Sequence, residues 1–125
     1  MKQQNNQNYT GMELYDKVIK PSKDVKFACV INNHGKILCA FNENYLNIDS
    51  KKKEMLFMEA ALQARMNKDF DGELGEFRCN VTERDNGYKC ISAPLPLDKT
   101  VFAVMDRNKD HSSFVNNAMK MAWNR

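Results

Sequence analysis

Residues 25–41 of the 125-residue chain read VKFACVINNHGKILCAF, and this stretch decides the fold class. Residues 25–32 and 36–41 are rich in apolar, strand-forming side chains, and Asn33–Gly35 between them is typical of a tight turn in which glycine takes a positive φ. We therefore predict a β-hairpin. Because the first strand is apolar on both faces at most positions, we expect it to be central in a sheet that helices cover on both sides.

A second hairpin and a further central strand lie later in the chain. Residues 76–84 alternate apolar and polar side chains, which is typical of an edge strand with one buried face. Asp85–Gly87 (DNG) is a strong hairpin-turn signal, and the strand that follows it, 88–93, is expected to stop at Pro94. Residues 100–106 are apolar on both faces, so we predict a second central strand.

The first predicted helix follows a polar N-terminal segment. Residues 1–9 are rich in Gln and Asn, and we expect a disordered tail there. Thr10 and Glu13 then match a capping box, so a short helix is predicted at about 11–20, closed by Pro21.

Two longer helices complete the predicted order. One spans about 50–67 after a cap at Asp49 or Ser50, and the last runs towards residue 123 after a cap at Asp110 or Ser112. The order α-β-β-α-β-β-β-α predicts an α+β fold, with one five-stranded antiparallel sheet and helices on both of its faces. At this length we expect a single domain over residues 10–125.

The element order and lengths resemble the roadblock/dynein-light-chain domain and its profilin-like relatives. Residues 25–41 look like the opening hairpin of that family. Residues 54–85 (EMLFMEAALQARMNKDFDGELGEFRCNVTERD) are similar to the central helix, loop and third strand of small archaeal roadblock-like proteins. Residues 92–123 (SAPLPLDKTVFAVMDRNKDHSSFVNNAMKMAW) look like their closing strands and helix. The resemblance covers about residues 12–124 and implies the strand order 2-1-5-4-3.

The resemblance also implies a function, that of a non-enzymatic interaction or scaffold module. Roadblock domains dimerise through the third strand and the central helix, and their partner is often a small Ras-like GTPase or a signalling complex. The residues expected at such a dimer interface are Phe77, Arg78, Cys79, Asn80, Val81, Thr82, Met55, Met58, Glu59, Leu62 and Met66.

Three alternatives stay open at this level. The methionines of the central helix, together with its Phe57, form an interface in one interpretation and fill the core in the other, because methionine fits irregular gaps. A homodimer and half of a heterodimer have the same sequence pattern. The same architecture is also that of PAS-like sensor domains, which bind a small molecule between the sheet and the central helix.

Composition and charge exclude several classes of protein. The net charge of +3 is mild, with 19 basic and 16 acidic residues spread along the chain, so we expect no nucleic-acid binding. No apolar run approaches the roughly 20 residues that cross a bilayer, and residues 1–9 do not form a signal peptide. We expect a soluble, cytoplasmic protein without a transmembrane segment.

The four cysteines do not form a metal-binding pattern. Cys29, Cys39, Cys79 and Cys90 lack the close Cys-x2-4-Cys pairs of zinc sites. Disulfides are conceivable by count, but each cysteine lies in an apolar run where a reduced thiol behaves as a small buried hydrophobe. We therefore favour reduced core cysteines and expect no cofactor.

Catalytic signatures are also missing. The chain has no phosphate loop, dinucleotide fingerprint, HExxH or nucleophile elbow. His34 lies in a turn, and His111 lies beside Asp110 and serines at a helix start, where capping is a better account than a Ser-His-Asp relay. The acidic residues of segment 69–73 lack a calcium-loop register and are interpreted as a solvated loop. We expect no enzymatic activity.

Overall fold

The computed structural model describes Glu13 and residues 15–123, and its strands form one antiparallel sheet. The strand order is β2-β1-β5-β4-β3, which confirms the predicted topology. The strands are β1 (Val25–Ile31), β2 (Ile37–Phe41), β3 (Asn80–Glu83), β4 (Tyr88–Leu95) and β5 (Lys99–Asp106). The predicted tail at 1–9 and the cap at Thr10 lie outside the described residues.

The helices cover both faces of this sheet, as the sequence predicts. Asp49 caps the long helix by accepting a hydrogen bond at Oδ1 from the Lys51 N–H at 2.9 Å, so the first of the two predicted caps is correct. The elements are a π-helical turn (Tyr15–Ile19) that continues into α1 (Lys20–Ser22), a 3-10 turn (Glu43–Tyr45), α2 (Ser50–Lys68), α3 (Asp71–Leu74) and α4 (Ser112–Trp123). Pro21 does not close the first helical segment as predicted but lies in the first turn of α1, where a missing N–H is tolerated.

The central strand β1 contributes to both hydrophobic layers. On one face Ala28 and Val30 pack in a cluster with Phe114 and Ala118 of α4. On the other face Phe27 lies beneath α2, where the Phe57 ring stacks on it at 6.2 Å between centroids. Burial on both faces is what the uninterrupted apolar pattern of this strand predicts.

Small side chains bring α2 close to the sheet. Apart from Phe57, the buried residues of this helix are Ala60, Ala61 and Ala64, which share one face at helical spacing. Phe57 meets Phe102 of β5 edge to face, with 5.3 Å between ring centroids. Phe57 is therefore a core residue, and its expected contribution to an exposed methionine-rich surface is wrong.

The β1–β2 turn contacts the same helix. Gly35 has φ +81° and donates its N–H to the Asn32 carbonyl at 3.0 Å. A Cβ atom built on Gly35 would lie 2.6 Å from the Met58 backbone nitrogen and 2.8 Å from the Phe57 carbonyl carbon. Glycine is thus required twice here, by the backbone conformation and by the close approach of α2.

Proline has a different effect from the one the sequence predicts. β4 does not stop before Pro94 but continues to Leu95, whereas β3 begins only at Asn80 rather than near residue 76. If the β3–β4 register continued towards the N-terminus, Arg78 would lie opposite Pro94. At that position the ladder requires an N–H of β4 that donates to β3. Because proline has no N–H, it ends the neighbouring strand instead of its own.

The predicted loop between α2 and β3 contains the short helix α3, so the solvated-loop interpretation is only partly correct. The Asp71 carboxylate at the start of α3 accepts a hydrogen bond from the Phe77 N–H at 3.0 Å. An acidic residue considered as a calcium ligand therefore holds the chain that leads into β3. No cluster of potential metal ligands occurs in residue 13 or residues 15–123.

Candidate interaction surface

The outward face of α2 carries large apolar side chains. Met55, Met58, Leu62 and Met66, which we call the α2 stripe, follow one another at helical spacing and are each between 45% and 69% exposed. The core-filling interpretation of these residues is therefore wrong. Single exposed apolar side chains are ordinary on protein surfaces, but a contiguous row of four indicates a contact surface.

The edge of the sheet beside this helix is open. The Arg84 N–H donates to the Tyr88 carbonyl at 2.8 Å. Because every second residue pair of an antiparallel ladder is hydrogen-bonded, Thr82 is also hydrogen-bonded to its partner Cys90. The backbone groups of the intervening residues, Val81 and Glu83, therefore point away from β4. Such groups are able to pair with a strand from another molecule.

A groove joins the stripe to the edge. It has a volume of ≈ 450 Å³ and lies between the C-terminal half of α2 and β3. Met66 of α2 and Phe70 in the turn after it form one wall, and Asn80, Val81 and Thr82 form the strand wall. The stripe, groove and β3 edge thus make one continuous surface, which we call the α2–β3 surface.

The structure places eight of the predicted interface residues on the elements where the sequence expects them. Five are on α2 (the α2 stripe and Glu59) and three on β3 (Asn80, Val81 and Thr82). Phe77, Arg78 and Cys79 precede the strand, so their assignment to it is wrong. Arg78 instead donates a hydrogen bond to the Asn116 Oδ1 of α4 at 3.1 Å.

The residues around His111 form a structural cluster. Asp110 Oδ1 accepts a hydrogen bond from the Ser112 N–H at 3.0 Å, and this bond is the main cause of the lowered pKa of Asp110. His111 Nδ1 lies 2.9 Å from Nζ of the buried Lys89. The carboxylate is engaged by the helix start, which agrees with capping rather than a catalytic relay. The sequence analysis did not identify Lys89 as a neighbour of His111, because the two residues are 22 positions apart in the chain.

The Cys29 side chain is buried, and the other three cysteines are partly buried. All four cysteines are free, and burial raises the pKa of every one of them. The effect is largest at Cys29, which is fully buried in β1. Reactive thiols need a lowered pKa and access to solvent, so this environment opposes a nucleophilic role.

These raised pKa values predict a loss of stability in alkali. Below the ordinary thiol pKa of 9.0 the thiols are protonated in both the folded and the unfolded protein. Above that pH the thiols of the unfolded chain ionise first, so the free energy of unfolding decreases as pH rises. Cys29 alone contributes a slope of up to about 1.4 kcal/mol per pH unit. Urea titrations of reduced protein between pH 8 and 11 measure this slope. The Cys29→Ala variant is expected to show a shallower slope, and parallel curves would contradict the account.

Known structures share this fold. A roadblock/LC7 domain from Streptomyces avermitilis superposes with a TM-score of 0.62 at 11% identity, covering 86% of this chain and 89% of that one. MglB in a tetrameric arrangement gives 0.66 at 13% identity, with 90% and 82% covered. Profilin II of Acanthamoeba castellanii gives 0.51 at 14% identity, with 89% and 93% covered.

The chain therefore has the roadblock fold of the profilin-like class, as the sequence resemblance indicates. No protein-family sequence model and no curated protein matches it. At these identities the likeness establishes the fold and leaves the activity to be argued from the surface. Within the described part of the chain, no helix is long and apolar enough to span a membrane.

Proposed function

We propose that this protein is a non-enzymatic interaction module that forms a homodimer through the α2–β3 surface. The observation that carries the proposal is the continuity of the exposed α2 stripe with the open β3 edge. Apolar side chains supply association energy, and outward backbone groups supply directional hydrogen bonds. Pairing of β3 with a second β3 would continue the sheet across a twofold axis.

A self-complementary contact is the simplest way to cover this surface. In a twofold dimer both copies use the same patch, so the stripe and edge of one copy cover those of the other. The tetrameric arrangement of MglB supports the proposal, because it shows that a chain with this fold is able to assemble.

The Val81→Pro variant tests the edge directly. Proline at position 81 removes an outward N–H and leaves the hydrogen bonds between β3 and β4 in place. We expect a folded monomer by light scattering and circular dichroism, where the wild type is a dimer. Thr82→Pro is the matched control, because it breaks the internal ladder and should also lower the melting temperature. A Val81→Pro dimer of wild-type affinity would contradict strand pairing.

The proposed partner of the dimer is a small Ras-like GTPase or the signalling complex around one. This part of the proposal is supported by the resemblance to roadblock domains, whose role is to bias or carry a GTPase. Pull-downs with tagged protein, combined with nucleotide-exchange assays on the captured GTPase, test it. If no GTPase is captured and exchange rates do not change, the GTPase role fails while the dimer remains.

A small-molecule sensor is the second candidate function. It is favoured by a cavity of ≈ 210 Å³ between α2 and the sheet, in the place where the sequence hypothesis expects a ligand.

A further inference from the structure

The cavity lies beneath α2, where the side chains of the sheet change from aromatic to polar. Towards β1 and β5 the helix rests on aromatic rings, but the strands β3 and β4 present Asn80, Thr82 and Ser92 to the same space. The volume of ≈ 210 Å³ equals that of about seven water molecules at roughly 30 Å³ each. A small metabolite of the same volume fits there.

One polar atom in the cavity wall is buried without a protein partner. The amide Nδ2 of Asn80 is buried without a hydrogen bond. Ser92 lies directly opposite it in the β3–β4 register and lines the same cavity. Buried polar groups are as a rule hydrogen-bonded, so the unpaired Asn80 Nδ2 indicates an occupant that offers a hydrogen-bond acceptor.

Two opposite charges stand at the rim. Glu59 of α2 and Arg84, next to β3, both line the cavity, and neither forms an ion pair with the other or with any other described residue. Arg84 and Cys90 line the same cavity, and burial raises the pKa of Cys90 while the positive charge of Arg84 opposes that rise. Leu56 and Phe102 supply the apolar part of the lining.

We infer that this cavity binds a free α-amino acid. The carboxylate would pair with Arg84 and the ammonium with Glu59, while Asn80 and Ser92 hydrogen-bond the polar atoms and the side chain rests on Phe102. A carboxylate and a guanidinium that are not paired with each other match a zwitterion better than they match a simple anion, cation or sugar. This inference rests on the second candidate function, and its site shares Asn80 and Thr82 with the α2–β3 surface.

Thermal unfolding of the full-length protein with single metabolites tests the inference. The panel contains the natural amino acids, the amines and carboxylic acids that each lack one charge, and neutral nucleosides and sugars. We expect one or a few amino acids to raise the melting temperature by about 5 °C at roughly ten times their Kd. The singly charged analogues should give no shift.

Three variants show whether the shift in melting temperature comes from binding in the cavity. Ser92→Leu fills the cavity, and Arg84→Gln removes an exposed charge, so both should fold and lose the shift. Arg65→Gln, an exposed arginine of α2 outside the cavity lining, is the matched control and should keep it. Light scattering of Ser92→Leu should match the wild type, which separates this test from that of the dimer.

Other outcomes overturn the inference. A shift that persists in Ser92→Leu places binding elsewhere. A Ser92-dependent shift from a nucleoside, a sugar or a singly charged analogue contradicts the amino-acid assignment but leaves the sensor function standing. No shift from any compound means that the cavity holds water only, and the sensor function fails with it.

Discussion

Replacing Gly35 with alanine is expected to lower the free energy of unfolding by about 3 kcal/mol. A left-handed conformation costs a non-glycine residue about 1–2 kcal/mol. The added methyl group also meets the α2 backbone at 2.6 Å, and overpacking of this kind costs about 1–3 kcal/mol. The atoms it meets belong to a helix backbone rather than to a flexible side chain, so they are not easily displaced.

The matched control is Gly87→Ala in the other hairpin. Gly87 has φ +98°, but no atom lies within 4 Å of an added Cβ. Only the conformational cost applies there, about 1–2 kcal/mol. Urea titrations of both variants separate the two contributions. Equal losses in the two variants would show that the close approach of α2 to the turn has no energetic role.

Replacing Met58 with lysine is expected to convert the proposed dimer to a monomer. Met58 lies in the α2 stripe and is 57% exposed in the isolated chain, so the substitution should leave the monomer folded. Methionine and lysine also have similar helix propensities. A hot-spot residue contributes about 2 kcal/mol, and a twofold interface contains it twice. The expected loss of about 4 kcal/mol weakens dimerisation by roughly a thousandfold.

Leu97→Lys is the control for this change. Leu97 is similarly exposed at 59% but lies in the β4–β5 turn, away from the α2–β3 surface. It should dimerise as the wild type does in sedimentation equilibrium. Equal dimer affinity for Met58→Lys and the wild type would remove the stripe from the interface.

Local patterns were sufficient to predict most of the fold. The apolar runs 25–31 and 101–105 identify central strands, and Gly35 and Gly87 mark turns whose positive φ values the structure confirms. The Asp49 cap and the limits of α2 followed from capping preferences and periodicity. These features depend on neighbours in sequence, which a single sequence shows directly.

The errors at β3 and α2 arose where the outcome depends on distant pairing. The limit of β3 depends on Pro94, which faces the expected strand 16 residues away in sequence. The side of α2 that faces the sheet was also not predictable, because the helix is apolar on both sides. Its alanines and Phe57 face the core, and its methionines face out. The cavity beneath α2 depends on both of these features, so its lining could not be derived from periodicity.

The solution mass of the wild-type protein across a concentration series tests the central claim most directly. The monomer has a mass of 14.5 kDa, and light scattering distinguishes it readily from a species of twice that mass. We expect the doubled mass at micromolar concentrations and a return to the monomer on dilution. A mass of one chain at every concentration would contradict a homodimer formed through the α2–β3 surface.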